Sequence, residues 1–145
     1  MATIDDVSRL LADDHGLSVV STVRAPGRVL SSVVNCGIHP HPGTGESCVA
    51  FVSGGDAARL RHIRAGSEVT VTVRRSWVWL GVSGPATILG PDDGELGAED
   101  VRLLLRSVFQ AAGGSHEDYG EFDRVMANER RAAVFVSPVR ILGNA

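Results

Sequence analysis

The 145-residue chain contains no lysine; all 14 of its basic residues are arginine. That excludes Schiff-base chemistry on a lysine amine and a phosphate loop closed by a lysine. Arginine is left as the fixed cation for any phosphate or carboxylate ligand. Cysteine is scarce too. Cys36 and Cys48 stand alone, without C-x-x-C spacing, which argues against a disulfide framework and for a reducing compartment. No apolar run approaches the ~20 residues of a membrane span. The first residues carry Asp5 and Asp6 where a secretory leader has basic residues and then an apolar stretch. A cytoplasmic location and no membrane partner are the expectations. With a net charge of −3, no positive excess marks a nucleic-acid surface.

What is present is an ordinary globular composition, 43% hydrophobic and 21% charged, in a chain of one domain's length (1–145) that can bury a core. Ile4, Val7, Leu10 and Leu11 recur at helical spacing behind Thr3, predicting a short capped helix that ends near Gly16. Leu17–Val23 and Val29–Ile38 read as strands joined by the Ala25-Pro26-Gly27-Arg28 turn. His39 to Gly45 reads as a loop. Cys48–Ser53 is a third strand, and Asp56 is placed to cap a short helix running to about Ala65. Glu68–Arg74 and Trp77–Leu89 are further strands, the second interrupted by Gly81 and Gly84-Pro85. Helices follow over Ala98–Ala111 and His116–Asn128, then a last strand over Ala132–Leu142. Six short strands with breaker glycines favour a small barrel. The only β-α-β segment lacks G-x-G-x-x-G, which argues against a dinucleotide-binding unit.

Several groups of residues bear on chemistry. Ser53-Gly54-Gly55 runs from a strand into a helix start with Arg59 and Arg61 close behind; spacing alone favours a plain connection with solvated arginines, and the alternative is an anion site. His39 and His41 have the spacing of two metal ligands but no acidic or cysteine third ligand beside them, so solvated loop histidines are the favoured reading and no metal is expected. Trp77 and Trp79 alternate with aliphatic residues and are expected to face one side of a strand, against a planar ligand, a partner subunit or the core. Asp92-Asp93-Gly94-Glu95 lacks the ligand order of a calcium loop. No G-x-S-x-G elbow supports a serine hydrolase.

Taken in order, these segments resemble the split β-barrel flavin and deazaflavin oxidoreductases named after pyridoxamine 5′-phosphate oxidase, and within them the actinobacterial branch that uses coenzyme F-420. The resemblance rests on four segments: Leu17–Arg24 with Val29–Asn35 as the opening hairpin; Gly54–Arg64 with Val69–Val73; Trp79–Ile88; and His116–Met126 with Glu129–Val136. It implies a six-stranded split β-barrel with short flanking helices, assembled as a homodimer with cofactor sites at the subunit interface. It also implies that Ser32, Val33, Val34 and Asn35 present their backbone to the cofactor's ring. Ser53, Gly54, Gly55, Arg59 and Arg61 would hold the phosphate end, and Trp79 would line the site. Ala57 and Ala58 stand where relatives often carry cations. No catalytic side chain is singled out. The activity implied is hydride transfer between the reduced deazaflavin and a conjugated small-molecule acceptor. The alternatives are an FMN-binding relative, or a non-catalytic dimer that binds a cofactor or haem, with His39 or His62 as the haem's axial ligand.

Overall fold

The computed structural model describes all 145 residues, in the order α1 (Ile4–Ala12), β1 (Leu17–Arg24), β2 (Arg28–Asn35), β3 (Gly37–Pro40), β4 (Ser47–Ser53), α2 (Ala58–Arg64), β5 (Val69–Arg75), β6 (Val78–Gly84), β7 (Ala86–Leu89), α3 (Ala98–Ala111), α4 (Tyr119–Asn128), β8 (Ala132–Val136) and β9 (Arg140–Gly143). Two antiparallel sheets form. One has the order β2-β1-β5-β6-β9 and the other β3-β4-β8-β7.

Nine strands stand where six were expected, because three of the six change sheets partway along. Val29–Ile38 breaks at Cys36 into β2 and β3, Trp77–Leu89 breaks at Pro85 into β6 and β7, and Ala132–Leu142 breaks after Val136 into β8 and β9. Proline supplies no N–H for the ladder, so Pro85 ends the pairing of β6. Gly84 beside it has no room for a side chain: a Cβ there would collide with the Ser137 carbonyl oxygen. The Ser137 N–H in turn donates to the Pro85 oxygen at 3.0 Å, locking two crossings together.

The core lies in two layers. Val20, Val71 and Val82 of the first sheet meet Phe51 and Val134 of the second, closed over by Val7 and Leu11 of α1 and by Leu60 of α2. Behind the second sheet, Ala50 and Phe135 pack on Leu105 and Val108 of α3 and Phe122 of α4. The second sheet is therefore covered on both faces. That explains why all five residues of β8 are buried and why β4 shows no polar alternation.

Local details depart from the sequence expectations where a competing contact wins. The residue before α2 is Ala57, with no side-chain cap, so Asp56 does not cap it. α1 does start behind Thr3, whose N–H donates to Asp6 Oδ2 at 2.8 Å, but it ends at Ala12, short of Gly16. His39 and Pro40 belong to β3 rather than to a loop. His116 precedes α4, which is capped by Asp118 accepting from the Glu121 N–H at 3.2 Å. No helix is long and apolar enough to cross a membrane.

Candidate functional site

β2 is the edge strand of its sheet, so one row of its backbone N–H and C=O groups is free of ladder bonds. Beside it opens a cavity of about 620 Å³. Val33, Val34 and Asn35 form one wall, Gly54 and Ala57 a second, and Phe109, Phe122 and Met126 of the helical layer a third. The Phe109 and Phe122 rings lie 4.8 Å apart between centroids. Three walls are thus largely apolar, and the cations of the lining are Arg59 and Arg131.

Arg59 Nη2 donates to Ser32 Oγ on β2 at 2.7 Å and its Nη1 to Ser53 Oγ at the end of β4 at 3.1 Å. The guanidinium is pinned between the two sheets, while its buried Nε has no partner in the chain. An orphaned N–H of this kind costs stability unless something accepts from it. Burial pushes the Arg59 pKa below its ordinary value, and the nearby positive charge of Arg131 adds to the effect. Arg131 lines the same cavity and is tethered by its Nε to Glu129 at 2.7 Å. Two guanidiniums at one end of a mostly apolar cavity make a place for an anionic group.

The turn that carries Ser53 is docked on the connection between α4 and β8. The Gly55 N–H donates to Glu129 O at 3.1 Å, and a Cβ on Gly55 would collide with the Arg130 carbonyl oxygen. Arg130 itself has a positive φ of 49°. Gly54 and Arg131 also border a second cleft of about 610 Å³ with no hydrophobic residue in its lining, which Gly55, Asp56, Asp92, Asn128, Glu129 and Arg130 complete.

The residues singled out in the sequence fall into three groups. Val33, Val34, Asn35, Gly54 and Arg59 line the cavity, with Ser32 and Ser53 behind it holding Arg59. Gly55 lines the adjoining polar cleft. Arg61 does not join Arg59: it lines a separate cleft with Arg24 and His62, and its Nη1 donates to Asp56 O at 3.0 Å. Trp79 also stands apart from the cavity, on the outer face of its sheet opposite Arg74, and Trp77 is 89% exposed in the turn before β6. The lining residues that sequence reasoning missed include Arg131, Phe109, Met126 and His15.

Elsewhere the polar residues are accounted for locally. His39 Nε2 lies 2.7 Å from Ser107 Oγ, and His62 Nδ1 lies 2.9 Å from Thr22 Oγ1, so neither lines the cavity. Asp92 and Asp93 pair with Arg130 and Arg64. No cluster of three or more His, Cys, Asp or Glu side chains is placed to hold a metal ion. Burial pushes the Cys36 thiol up to about 12 and the Cys48 thiol up to about 11, so both are protonated at neutral pH.

No family model matches the chain, and no curated protein matches it. Solved structures do. A conserved hypothetical protein from Mycobacterium tuberculosis superposes with a TM-score of 0.69 at 11% identity, over 99% of this chain and 84% of that one. A pyridoxamine 5′-phosphate oxidase-related, FMN-binding protein from Nostoc punctiforme gives 0.59 at 13% identity, over 97% and 84%. An F420 reductase gives 0.59 at 15% identity, over 87% and 88%. The chain spans only 56% of another match, an Agrobacterium tumefaciens protein of unknown function. At these identities the likeness fixes the architecture alone: two antiparallel sheets with flanking helices, folded as in the pyridoxamine 5′-phosphate oxidase-like split barrels.

Proposed function

We propose that the cavity beside β2 binds a flavin-type cofactor and that the protein is an oxidoreductase dependent on coenzyme F-420. The observation that carries this reading is Arg59, held by Ser32 and Ser53 with its Nε bare, at the charged end of an apolar cavity. About 620 Å³ is within the range of sites that enclose a small-molecule cofactor. Val33, Val34 and Asn35 on one side and Phe109 and Phe122 on another would hold a planar ring, and Arg59 and Arg131 would hold its anionic group. The deazaflavin coenzyme carries its phosphate partway along a longer polar tail, and the polar cleft beyond Gly54 gives such a tail somewhere to go.

The chemistry that a reduced deazaflavin held there would supply is hydride transfer to a conjugated small-molecule acceptor. The chain's own contribution is positioning. Backbone groups of Val33 to Asn35 would orient the ring edge, Arg59 and Arg131 would hold the anionic end, and the aromatic wall would keep water from one face. The surroundings of Arg59 also favour a second reading. FMN ends in a compact phosphate dianion that asks for two cations close together, and Arg131 provides the second one beside Arg59.

The functional unit proposed is a homodimer. The outer face of the first sheet exposes Val19, Val23, Val29, Val33, Trp79 and Leu142, with Val29 66% and Val33 64% accessible. Val33 belongs to this face and to the cavity alike, so a second copy seated on the face also borders the cofactor.

Titrating the purified protein separately with oxidised coenzyme F-420, FMN and haemin tests the assignment. Micromolar deazaflavin binding with weak FMN binding is the expected result. A preference for FMN transfers the site to the second reading. A haem Soret band with neither flavin bound points to storage rather than catalysis, and binding of none of the three overturns the proposal.

A further inference from the structure

Arg61 and the tip of the first hairpin point to a second anion site, on the opposite side of that hairpin from the exposed apolar face. In the register of β1 and β2, Arg24 lies directly across from Arg28, Thr22 from Leu30 and Val20 from Ser32. Side chains alternate along a strand, so Arg24 and Arg28 share the face that carries the buried Thr22 and Val20. α2 packs on this same face, its His62 bonded to Thr22. A cleft of about 570 Å³ results, lined by Arg24, Arg61 and His62 over Val23, Ala25 and Ala58, with no acidic side chain in its lining.

Two features make this more than a scatter of surface arginines. Like charges directly opposed on a ladder repel, and Arg24 and Arg28 are so opposed. Arg24, Arg28 and Arg61 are three of the seven arginines that make no ion pair with a carboxylate of the chain, and Arg24 and Arg61 share one cleft. The cleft is also preformed. Arg61 is anchored through Nη1 to the Asp56 carbonyl at 3.0 Å, and His62 is held at Nδ1 by Thr22 at 2.9 Å.

We propose that this cleft binds a small phosphate monoester. The dianionic group would be shared between the guanidiniums of Arg24 and Arg61, and its organic body would lie on Ala25, Ala58 and Ala65. A tetrahedral dianion offers oxygens to more than one donor, here one guanidinium from β1 and one from α2, whereas a single carboxylate suits one guanidinium fork. The site is separate from the cavity of Arg59 and does not depend on what that cavity holds.

The test is a titration with phenyl phosphate and, separately, inorganic phosphate, followed through the arginine Nε–H resonances of the full chain at constant ionic strength. Saturable shifts at Arg24 and Arg61, with phenyl phosphate the tighter ligand, are expected. Calorimetry on Arg24→Ala, Arg61→Ala and their double variant should then show the double variant at least about tenfold weaker. Both side chains are at the surface, and the wild-type spectra stand even where a variant folds poorly. Shifts confined to Arg59 and Arg131 overturn the proposal, as does an absence of saturation at millimolar ligand. Equal affinity for inorganic phosphate overturns the monoester assignment.

Discussion

Arg59 is the residue on which the candidate site turns, and the sequence showed it only in part. An arginine following Ser-Gly-Gly is visible in the chain, but the Ser32 hydroxyl that fixes it comes from a strand 27 residues earlier. Its expected companion Arg61 is two positions on, and residues two apart on a helix do not face the same way. The true neighbour, Arg131, lies just before β8 and reaches the cavity only through the packing of α4. No local pattern announces such a pair. Arg59→Ala removes the pinned guanidinium and should weaken cofactor binding by about 1.5–3 kcal/mol, the scale of a hydrogen bond to a charged group. Titration of the variant against wild type measures the difference, and an unchanged affinity would show that Arg59 does not touch the ligand. The variant also removes an orphaned buried N–H, so its thermal stability should fall little.

The elements were more legible than their ends. α3 runs over the residues that its apolar spacing marks out, because Val101, Leu105 and Val108 define one face against the second sheet. The strands were found, and of their three breaks only the one at Gly84-Pro85 carried a mark in the sequence. A residue such as Cys36 or Ser137 carries no sequence mark of a change of sheet, since that depends on which neighbour is available for pairing. The Ser53–Ala57 turn shows how tightly one such junction is built. Its Gly55 touches the backbone of Arg130, so the turn sets how Arg59 and Arg131 approach each other. Gly55→Ala should force the two loops apart and cost about 1–3 kcal/mol of stability, as overpacking does. Urea unfolding checks the cost. Cofactor affinity should drop in the same variant, although Gly55 lines only the neighbouring polar cleft and not the main cavity. A fully stable variant with weakened binding would assign Gly55 to the ligand directly.

At the scale of the whole molecule, the chain leaves one broad face unsatisfied. Composition gave no hint of it, because exposed valines look the same as buried ones until the register of β1 and β2 is known. Val19 pairs with Val33 and Val23 with Val29, so four valines of two strands gather on the outer side, with Trp79 and Leu142 farther across the sheet. An apolar patch of this extent is an unusual surface for a monomer and a common one for a subunit. Light scattering should find a dimer at micromolar concentration. Val29→Asp places a charge at the hairpin-tip end of the β1–β2 part of this face, on a side chain already 66% accessible within the single chain. The variant should therefore keep its circular dichroism spectrum and lose its partner. Because Val33 borders both the face and the cavity, the monomeric variant should also bind cofactor more weakly, with an affinity that no longer rises with protein concentration. A wild-type protein that is monomeric at every concentration would detach the cavity from any second subunit, and Arg59 and Arg131 would then have to hold the cofactor from one chain alone.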